Sequence, residues 1–220
     1  GVVKLDTLED VRGIIKLAQR ARSAVVVGGG IIAIELVEGL AAHDLTVHYF
    51  LRTDRFWSSV LDETESRMVE RGLQSEGIRL HYRTQVEQAL GKEGQLAAVL
   101  TKAGSTLPCQ VLGVAIGLRA RMELAQQAGL ATGKGVLVNE YLETNAADVY
   151  AAGDVAEMRA PGITDGWFET LWPKARLQGE IAGKNMAGGR AVCAPNTMYN
   201  PVRIGGIITT TIGSIGRNGG

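Results

Sequence analysis

A glycine-rich turn between apolar residues is the first candidate for chemistry in this chain. Residues 25–35 read Val-Val-Val-Gly-Gly-Gly-Ile-Ile-Ala-Ile-Glu, an apolar run followed by the pattern Gly28-x-Gly30-x-x-Ala33. Such a run predicts a buried strand that enters a helix, and free N–H groups at a helix N-terminus bind phosphate. Gly28 permits the tight turn, Gly30 lets a pyrophosphate approach the backbone, and Ala33 lets the helix pack on the strand. The spacing therefore predicts a dinucleotide-binding turn.

A second candidate site lies where another apolar run ends in Gly153-Asp154, downstream of Thr144-Asn145. The run Val149–Ala152 predicts a buried strand, and α/β sheets bind their ligands at the carboxyl ends of strands. An ionised carboxylate there accepts hydrogen bonds from sugar-like hydroxyl groups. Taken alone, Gly153-Asp154 favours a helix-capping or turn aspartate over a binding residue.

The elements around the glycine turn alternate between strand and helix. Ala24–Val27 and Leu45–Leu51 are short apolar runs that predict parallel strands, and helices are predicted over residues 30–40 and 62–75. A capping-box pattern at Thr7–Asp10 predicts one helix before them. This order is half of a doubly wound unit, so we predict an α/β fold with a Rossmann-like domain.

The pattern changes to short strands after residue 79. An antiparallel meander is predicted from His81-Tyr82, Val86–Leu90, Leu96–Thr101 and Leu107, followed by an apolar strand at Val111–Ile116. Gly117 ends that strand, and we place a domain boundary there. The resulting division is residues 1–117, residues 118–190 and residues 191–220.

Elements are sparser beyond the boundary. Strands are predicted at Gly135–Val138, Val149–Ala152 and Ile207–Ile212, and a helix at Leu171–Met186. Pro173 suits the start of that helix, because proline lacks the N–H that a first helical turn leaves unpaired.

The two motifs, in this order, resemble the pyridine nucleotide-disulfide oxidoreductase family over nearly the whole chain. Residues 167–186 and 199–216 are similar to its branch with NADH oxidases, rubredoxin reductases and nitrite reductase-like flavoproteins. The resemblance implies an NAD(P)-binding domain with a β-meander in residues 1–117. It also implies the second half of an FAD-binding domain in residues 118–190 and the start of a C-terminal domain in residues 191–220.

The resemblance implies FAD and NADP or NAD as cofactors, with hydride passing from nicotinamide to flavin. A complete family member carries another Gly-x-Gly-x-x-Gly unit upstream, which this chain lacks. We therefore expect the chain to be a fragment that is inactive by itself and whose retention of FAD is open.

The resemblance also assigns cofactor-binding roles to individual residues. Those of the nicotinamide nucleotide are Gly28, Gly29, Gly30, Ile31, Ala33, Glu35, Arg52, Arg55 and Gly117. Those of the flavin are Gly153, Asp154, Trp172 and Pro173, where the last two open a helix that faces the flavin pyrimidine edge. For Trp172, core packing is an equal alternative, and Glu35 could be an ordinary exposed helix residue. Ile31 stands where the family often has an aromatic gate, so a swinging lid is not expected.

Residues 49–55, Tyr-Phe-Leu-Arg-Thr-Asp-Arg, bear on the choice between NADH and NADPH. An acidic residue at the end of the second strand binds the ribose 2′-hydroxyl, whereas arginine accommodates a 2′-phosphate. Aligned with the family, Leu51 occupies the acidic position, and Arg52 and Arg55 follow it. The sequence favours NADPH, with two alternatives left open: the arginines could only solvate a loop, and Asp54 could still reach the ribose.

Composition excludes several classes of partner. The 220 residues carry a formal net charge of +0, which argues against nucleic acid or an anionic membrane as the main partner. Cys109 and Cys193 form neither a CxxC pair nor a metal cluster, and reduced thiols in a cytoplasmic protein are the simplest interpretation. No residue is a convincing catalytic acid, base or nucleophile, and no metal ligands are predicted.

The function predicted from these observations is an FAD-dependent NAD(P)H oxidoreductase with an unidentified electron acceptor. Exposed strand edges make a homodimer plausible. A non-enzymatic NAD(P)-binding or interaction module with the same fold is the main alternative. A dehydrogenase without flavin is a third hypothesis, against which Asp154 and the helix at Pro173 argue.

Overall fold

The computed structural model describes residues 1–160, 168, 170–194 and 199–212. They form two compact units. The first contains Gly1–Gly117 together with the segment at 199–212, and the second lies within Leu118–Asn196. None of the helices in the described part of the chain is both long enough and apolar enough to span a lipid bilayer.

The first unit is built on a parallel sheet and a separate meander. Its strands are β1 (Val2–Val3), β2 (Ser23–Val27), β3 (Thr46–Phe50), β4 (Arg79–His81), β5 (Val86–Lys92), β6 (Gln95–Thr101), β7 (Thr106–Pro108) and β8 (Val111–Val114). The five-stranded parallel sheet has the order β1-β8-β2-β3-β4. The strand order reverses between β2 and β8, and such a reversal opens a crevice at the carboxyl ends of the two strands.

Three helices connect the strands of this sheet: α1 (Leu8–Ala18), α2 (Ile31–Ala41) and α3 (Glu63–Ser75). The predicted capping box of α1 is confirmed, since Thr7 and Asp10 exchange hydrogen bonds. Asp62 and Glu65 form the same motif at the start of α3. Each box satisfies backbone N–H groups that a helix N-terminus otherwise leaves unpaired.

Both faces of β2 are buried, which explains its continuous apolar sequence. Ala24 and Val26 belong to the cluster formed with α2 and α3, whereas Val25 packs with Val99 and Leu112 on the face covered by the meander. The strands and helices predicted for the parallel sheet and its connections are confirmed, with shifts of one or two residues at most ends.

The meander differs from its prediction at one strand. Strands β5, β6 and β7 pair antiparallel as expected, and Glu93-Gly94 turns the chain with positive φ at both residues. The predicted first strand, His81-Tyr82, is wrong: residues 79–81 form β4, which pairs parallel with β3 in the main sheet. Its three residues are too few to show a periodicity that distinguishes the two sheets.

The second unit contains β9 (Val136–Val138), β10 (Ala156–Met158), α4 (Glu123–Gln127) and α5 (Trp172–Met186). Strands β9 and β10 pair parallel, and Val138, Leu142 and Met158 are buried with Ile181 of α5. The predicted strand Val149–Ala152 is wrong, since it makes one isolated bridge, between Tyr150 and Glu143. Its backbone bonds instead to the preceding turn, through Ala151 N–H and Leu142 O.

A hairpin of β11 (Tyr199–Ile204) and β12 (Ile207–Ile212) packs against the first unit. Ile204 is fully buried in the core around α2 and α3, and Glu38 Oε1 accepts a hydrogen bond of 2.7 Å from Gly205 N–H. The assignment of residues 191–220 to a separate C-terminal domain stays a prediction.

The hairpin tip and α3 meet at two glycines. A Cβ atom on Gly72 would lie 2.3 Å from the carbonyl oxygen of Gly205, and Gly205 itself has φ +56°. The backbones of the hairpin and the helix therefore touch at a place where no larger residue fits.

We expect Gly72→Ala to lower the free energy of unfolding by about 1–3 kcal/mol, because the new methyl group displaces the hairpin tip. Gly39→Ala is the matched control, since Gly39 also lies in a helix and no described atom lies within 4 Å of its Cβ position. That change should stabilise the protein by about 0.5–1 kcal/mol. Chemical denaturation of both variants is the measurement, and equal effects would contradict the close contact.

Candidate functional site

The turn from β2 to α2 is held by a close backbone contact. Gly28 has φ +146°, and a Cβ atom there would lie 2.2 Å from the carbonyl oxygen of Ala115 and 2.9 Å from Cβ of Ala33. Ala33 is fully buried. Gly28 and Ala33 are therefore small because the turn, the helix and the residue after β8 touch one another, as the motif predicts.

Gly29 and Gly30 have no such reason to lack a side chain. At either position a Cβ atom would meet no described atom within 4 Å. Gly30 has an extended backbone, with φ −111° and ψ −174°, which any residue adopts. The space beside Gly30 is open, as an approaching ligand requires.

The N-terminus of α2 is suited to an anion. Gly30 is its N-cap, and no side chain in the described ranges caps the helix or places an acidic group in its first turn. The unpaired backbone N–H groups and the helix dipole together favour negative charge at this end. By contrast, α1 and α3 both have capping side chains and carry carboxylates of their own in the first turn.

Other residues predicted for the nicotinamide nucleotide lie in the same unit. Ile31 is the half-buried first residue of α2, and Glu35 is exposed one turn later. Gly117 is exposed with φ +125° beyond the end of β8. Their roles toward a nucleotide stay predictions.

The segment after β3 carries charge on its surface. Leu51 is buried, whereas Arg52 and Asp54 are exposed and Arg55 is half-buried. Asp54 faces two arginines: Oδ1 lies 3.8 Å from Arg55 Nη1, and Oδ2 lies 3.8 Å from Arg83 Nη2. Asp54 is therefore the counter-ion of two arginines, at distances longer than a hydrogen bond.

Sequence reasoning missed Arg83. It follows β4, and β4 was assigned to the meander rather than to the strand beside β3. Correct pairing of β3 with β4 would have placed the two following segments side by side, since carboxyl ends of parallel strands share one edge.

The Gly153-Asp154 site differs from its prediction in local structure. These residues form a single 3-10 turn, Gly153–Val155, that precedes strand β10 instead of ending a strand. Gly153 is buried with φ +81°, and its N–H donates a 2.8 Å hydrogen bond to Gln178 Oε1 on α5. The turn leaves Asp154 exposed, so its carboxylate is accessible.

Helix α5 begins at Trp172 with Pro173 in its first turn, as predicted. Its N-cap, Leu171, provides no capping side chain among the described residues. Trp172 is 74% exposed, so the core-packing alternative does not hold within this unit. Its ring instead lies 6.0 Å from Arg176 Cζ.

Two polar atoms near these sites have no hydrogen-bond partner within the described residues: Arg55 Nε and Gln178 Nε2. Both atoms are buried from solvent, and Gln178 is fully buried as a residue. The buried hydroxyl of Tyr49 is a third such atom, and each of the three is costly unless an acceptor completes it. Gln178 was also missed from the sequence, where nothing distinguishes it from other helix residues.

The remaining reactive side chains are shielded. Burial raises the pKa of the Cys109 and Cys193 thiols, which disfavours their nucleophilic thiolate form. His48 Nδ1 and His81 Nε2 lie 2.9 Å apart, and burial lowers the pKa of both rings. In the part of the chain that the structure describes, no group of three histidine, cysteine or acidic side chains could hold a metal ion.

The parallel sheet, the glycine turn at its reversal point and the attached meander define a Rossmann-like α/β protein. The family model for pyridine nucleotide-disulphide oxidoreductase matches residues 1–179. The chain belongs to this family, which confirms the resemblance seen in the sequence. It is a family of enzymes, and FAD and NAD(P) are its expected cofactors.

Two relatives illustrate the match. An NADH oxidase of Methanocaldococcus jannaschii is 32% identical over 198 residues, which cover 89% of this chain and 44% of the relative. A rubredoxin-NAD(+) reductase of Ectopseudomonas oleovorans is 27% identical over 161 residues, covering 73% of this chain and 42% of the relative. The chain thus spans less than half the length of either relative.

A solved structure agrees in fold. The NAD-dependent persulfide reductase from A. fulgidus superposes with a TM-score of 0.86 at 30% identity. The superposition covers 93% of this chain and 38% of the reductase. The predicted α/β fold class is thereby confirmed.

We expect Gly28→Ala to lower the free energy of unfolding by about 2–4 kcal/mol, because the methyl group collides with backbone and the φ angle disfavours L-residues. Gly30→Ala is the matched control and should change it by less than about 1 kcal/mol. Thermal and urea denaturation measure both. Similar losses for the two variants would show that the turn is not held as described.

Proposed function

We propose that this chain is the NAD(P)H-binding part, and a portion of the FAD-binding part, of an FAD-dependent oxidoreductase. The observation that carries the proposal is the β2–α2 turn. No packing contact in the described residues requires glycine at position 30. Gly30 is the N-cap residue of α2, and no described side chain bonds to the free N–H groups of this helix, which lie at the crevice between β2 and β8. Both features suit a dinucleotide pyrophosphate.

The residues of the turn have separate tasks in this proposal. The backbone N–H groups at the start of α2 bind the pyrophosphate, and the bare Cα of Gly30 lets it approach. Gly28 and Ala33 hold the helix against the sheet so that these N–H groups stay in position. Glu35 and Gly117 are assigned to the nicotinamide half of the nucleotide.

The segment after β3 supports NADPH rather than NADH. Leu51 is buried and apolar where an NADH site needs a carboxylate, and Arg52 and Arg55 follow. The buried Nε of Arg55 has no acceptor in the described residues, which a phosphate oxygen would supply.

The second unit has groups that fit a flavin. When bound, FAD supplies an acceptor for the hydride of NAD(P)H. The exposed carboxylate of Asp154 accepts hydrogen bonds from ribityl hydroxyls, in a turn that Gln178 holds through Gly153 N–H. The uncapped start of α5, at Trp172 and Pro173, stabilises negative charge through its N–H groups and dipole.

The electron acceptor is not specified by the described residues. The relatives' names include an oxidase, a rubredoxin reductase and a persulfide reductase, so the family fold serves several acceptors. Homodimer formation and a cytoplasmic location stay predictions.

We expect Gly30→Leu to weaken NADPH binding at least about tenfold, because the side chain fills the space reserved for the pyrophosphate. Isothermal titration of the chain with NADPH is the measurement, and Gly39→Leu, an exposed helix glycine of the same unit, is the control. Unchanged affinity in a folded Gly30→Leu protein would refute the assignment of the turn.

We expect Asp154→Asn to weaken FAD binding by about tenfold, since a charged hydrogen bond contributes about 1.5–3 kcal/mol. Asp44→Asn, which changes an exposed carboxylate of the other unit, is the control. FAD is titrated into the chain while flavin fluorescence and visible absorbance are followed, and NADPH is then added. Bleaching of bound flavin supports the enzyme, whereas NADPH binding with no flavin uptake would mean that this chain provides only the nicotinamide-binding half of a larger flavoenzyme.

A further inference from the structure

Arg55 and Arg83 both lie beside Asp54 beyond the carboxyl ends of β3 and β4, and the exposed Arg52 stands two residues before Asp54 in the same segment. We call Arg52, Arg55 and Arg83 the arginine cluster. Asp54 lies between two of them, with each carboxylate oxygen 3.8 Å from one guanidinium nitrogen. These distances exceed a direct hydrogen bond, so the two contacts are loose ion pairs.

The position of Arg83 is fixed by its backbone. Its N–H donates a 2.9 Å hydrogen bond to Thr53 O, and Thr84 N–H donates one of 3.0 Å to Leu51 O. Two bonds therefore tie the segment after β4 to the segment after β3. The side chain of Arg83 is carried to the cluster by this connection rather than by chance proximity on a flexible loop.

Arg83 also occupies an unfavourable backbone conformation. Its φ of +50° lies in the left-handed region, where glycine is free of strain and a longer side chain costs free energy. The chain nevertheless has arginine there, with 78% of the side chain exposed. Arg83 further borders a cavity of about 270 Å³ that His81 and Lys102 also line. The lining of this cavity does not include Asp54 or Arg55, so it is the exposure of the Arg83 side chain that makes its guanidinium accessible to a ligand.

The charges of the cluster do not balance. Two guanidinium groups, those of Arg55 and Arg83, face the single carboxylate of Asp54, which leaves one net positive charge, and the exposed Arg52 adds a second in the segment after β3. A phosphate monoester carries about −1.5 to −2 charges at pH 7. Its oxygens also match guanidinium donors in geometry, and the unpaired Nε of Arg55 is one such donor.

The geometry points to Arg83 as a third arginine of the 2′-phosphate site, with Asp54 as the resident counter-ion that the phosphate displaces. Arg83 is then a residue that determines the choice of NADPH over NADH, contributed by a different strand from Arg52 and Arg55. This inference rests on the proposed function, because it requires that the first unit bind NADPH through the β2–α2 turn.

The test compares NADPH and NADH affinities of the wild-type chain and three variants by isothermal titration. Arg83→Gly removes the guanidinium and suits the positive φ, so the variant should fold. We expect it to bind NADPH about tenfold more weakly and NADH unchanged. Asp54→Asn removes the competing carboxylate and should strengthen NADPH binding. Arg79→Gln changes an exposed arginine at the opposite end of β4 and should alter neither affinity.

Salt provides a second readout. The difference in NADPH affinity between the wild-type chain and Arg83→Gly should become smaller as ionic strength rises, because salt screens the attraction between an exposed arginine and a phosphate. Two results overturn the inference alone: an Arg83→Gly protein that keeps the wild-type preference for NADPH, or one that loses NADPH and NADH binding equally. If the wild-type chain binds neither NADPH nor NADH, and Gly30→Leu gives the same titration result, the proposed function is overturned. This inference then fails with it.

Discussion

The contact between Gly28 and the carbonyl of Ala115 is the constraint on which the first unit depends. It joins the end of β2 to the residue after β8, at the point where the strand order of the sheet reverses. Because Gly28 has no Cβ, α2 can start immediately beyond the sheet, with Ala33 fully buried against the turn. The direction of α2, and with it the position of its free N–H groups, follows from this contact.

The two units use the same physical device in different settings. Each places a helix whose N-terminus no described side chain caps near a glycine of positive φ, as α2 does after Gly28 and α5 does beside Gly153. Three buried polar atoms of the described residues have no hydrogen-bond partner: Tyr49 Oη and Arg55 Nε in the first unit and Gln178 Nε2 in the second. Unmet hydrogen-bonding capacity is costly for an isolated fold.

The sequence was sufficient for elements with a strong local signal. The capping box at Thr7, the apolar run of β2 and the proline at position 173 each have a physical cause within a few residues, and the corresponding elements are confirmed. The strand β4 could not be assigned correctly, because which sheet it joins depends on pairing with β3, far away in the chain. That error hid Arg83, whose importance comes only from its distance to Asp54. The prediction of a strand at Val149–Ala152 is wrong for a related reason. An apolar run becomes a strand only where another strand is present to pair with it, and this run makes one isolated bridge.

The contact between Gly72 and Gly205 has a consequence for anyone who wishes to isolate the nucleotide-binding unit. The unit is discontinuous in sequence, since residues 1–117 share a core with the hairpin at 199–212. A protein cut after Gly117 would expose the pocket that Ile204 fills and leave Glu38 without its Gly205 partner. A minimal nucleotide-binding domain therefore has to keep the hairpin together with residues 1–117, with a linker in place of the second unit.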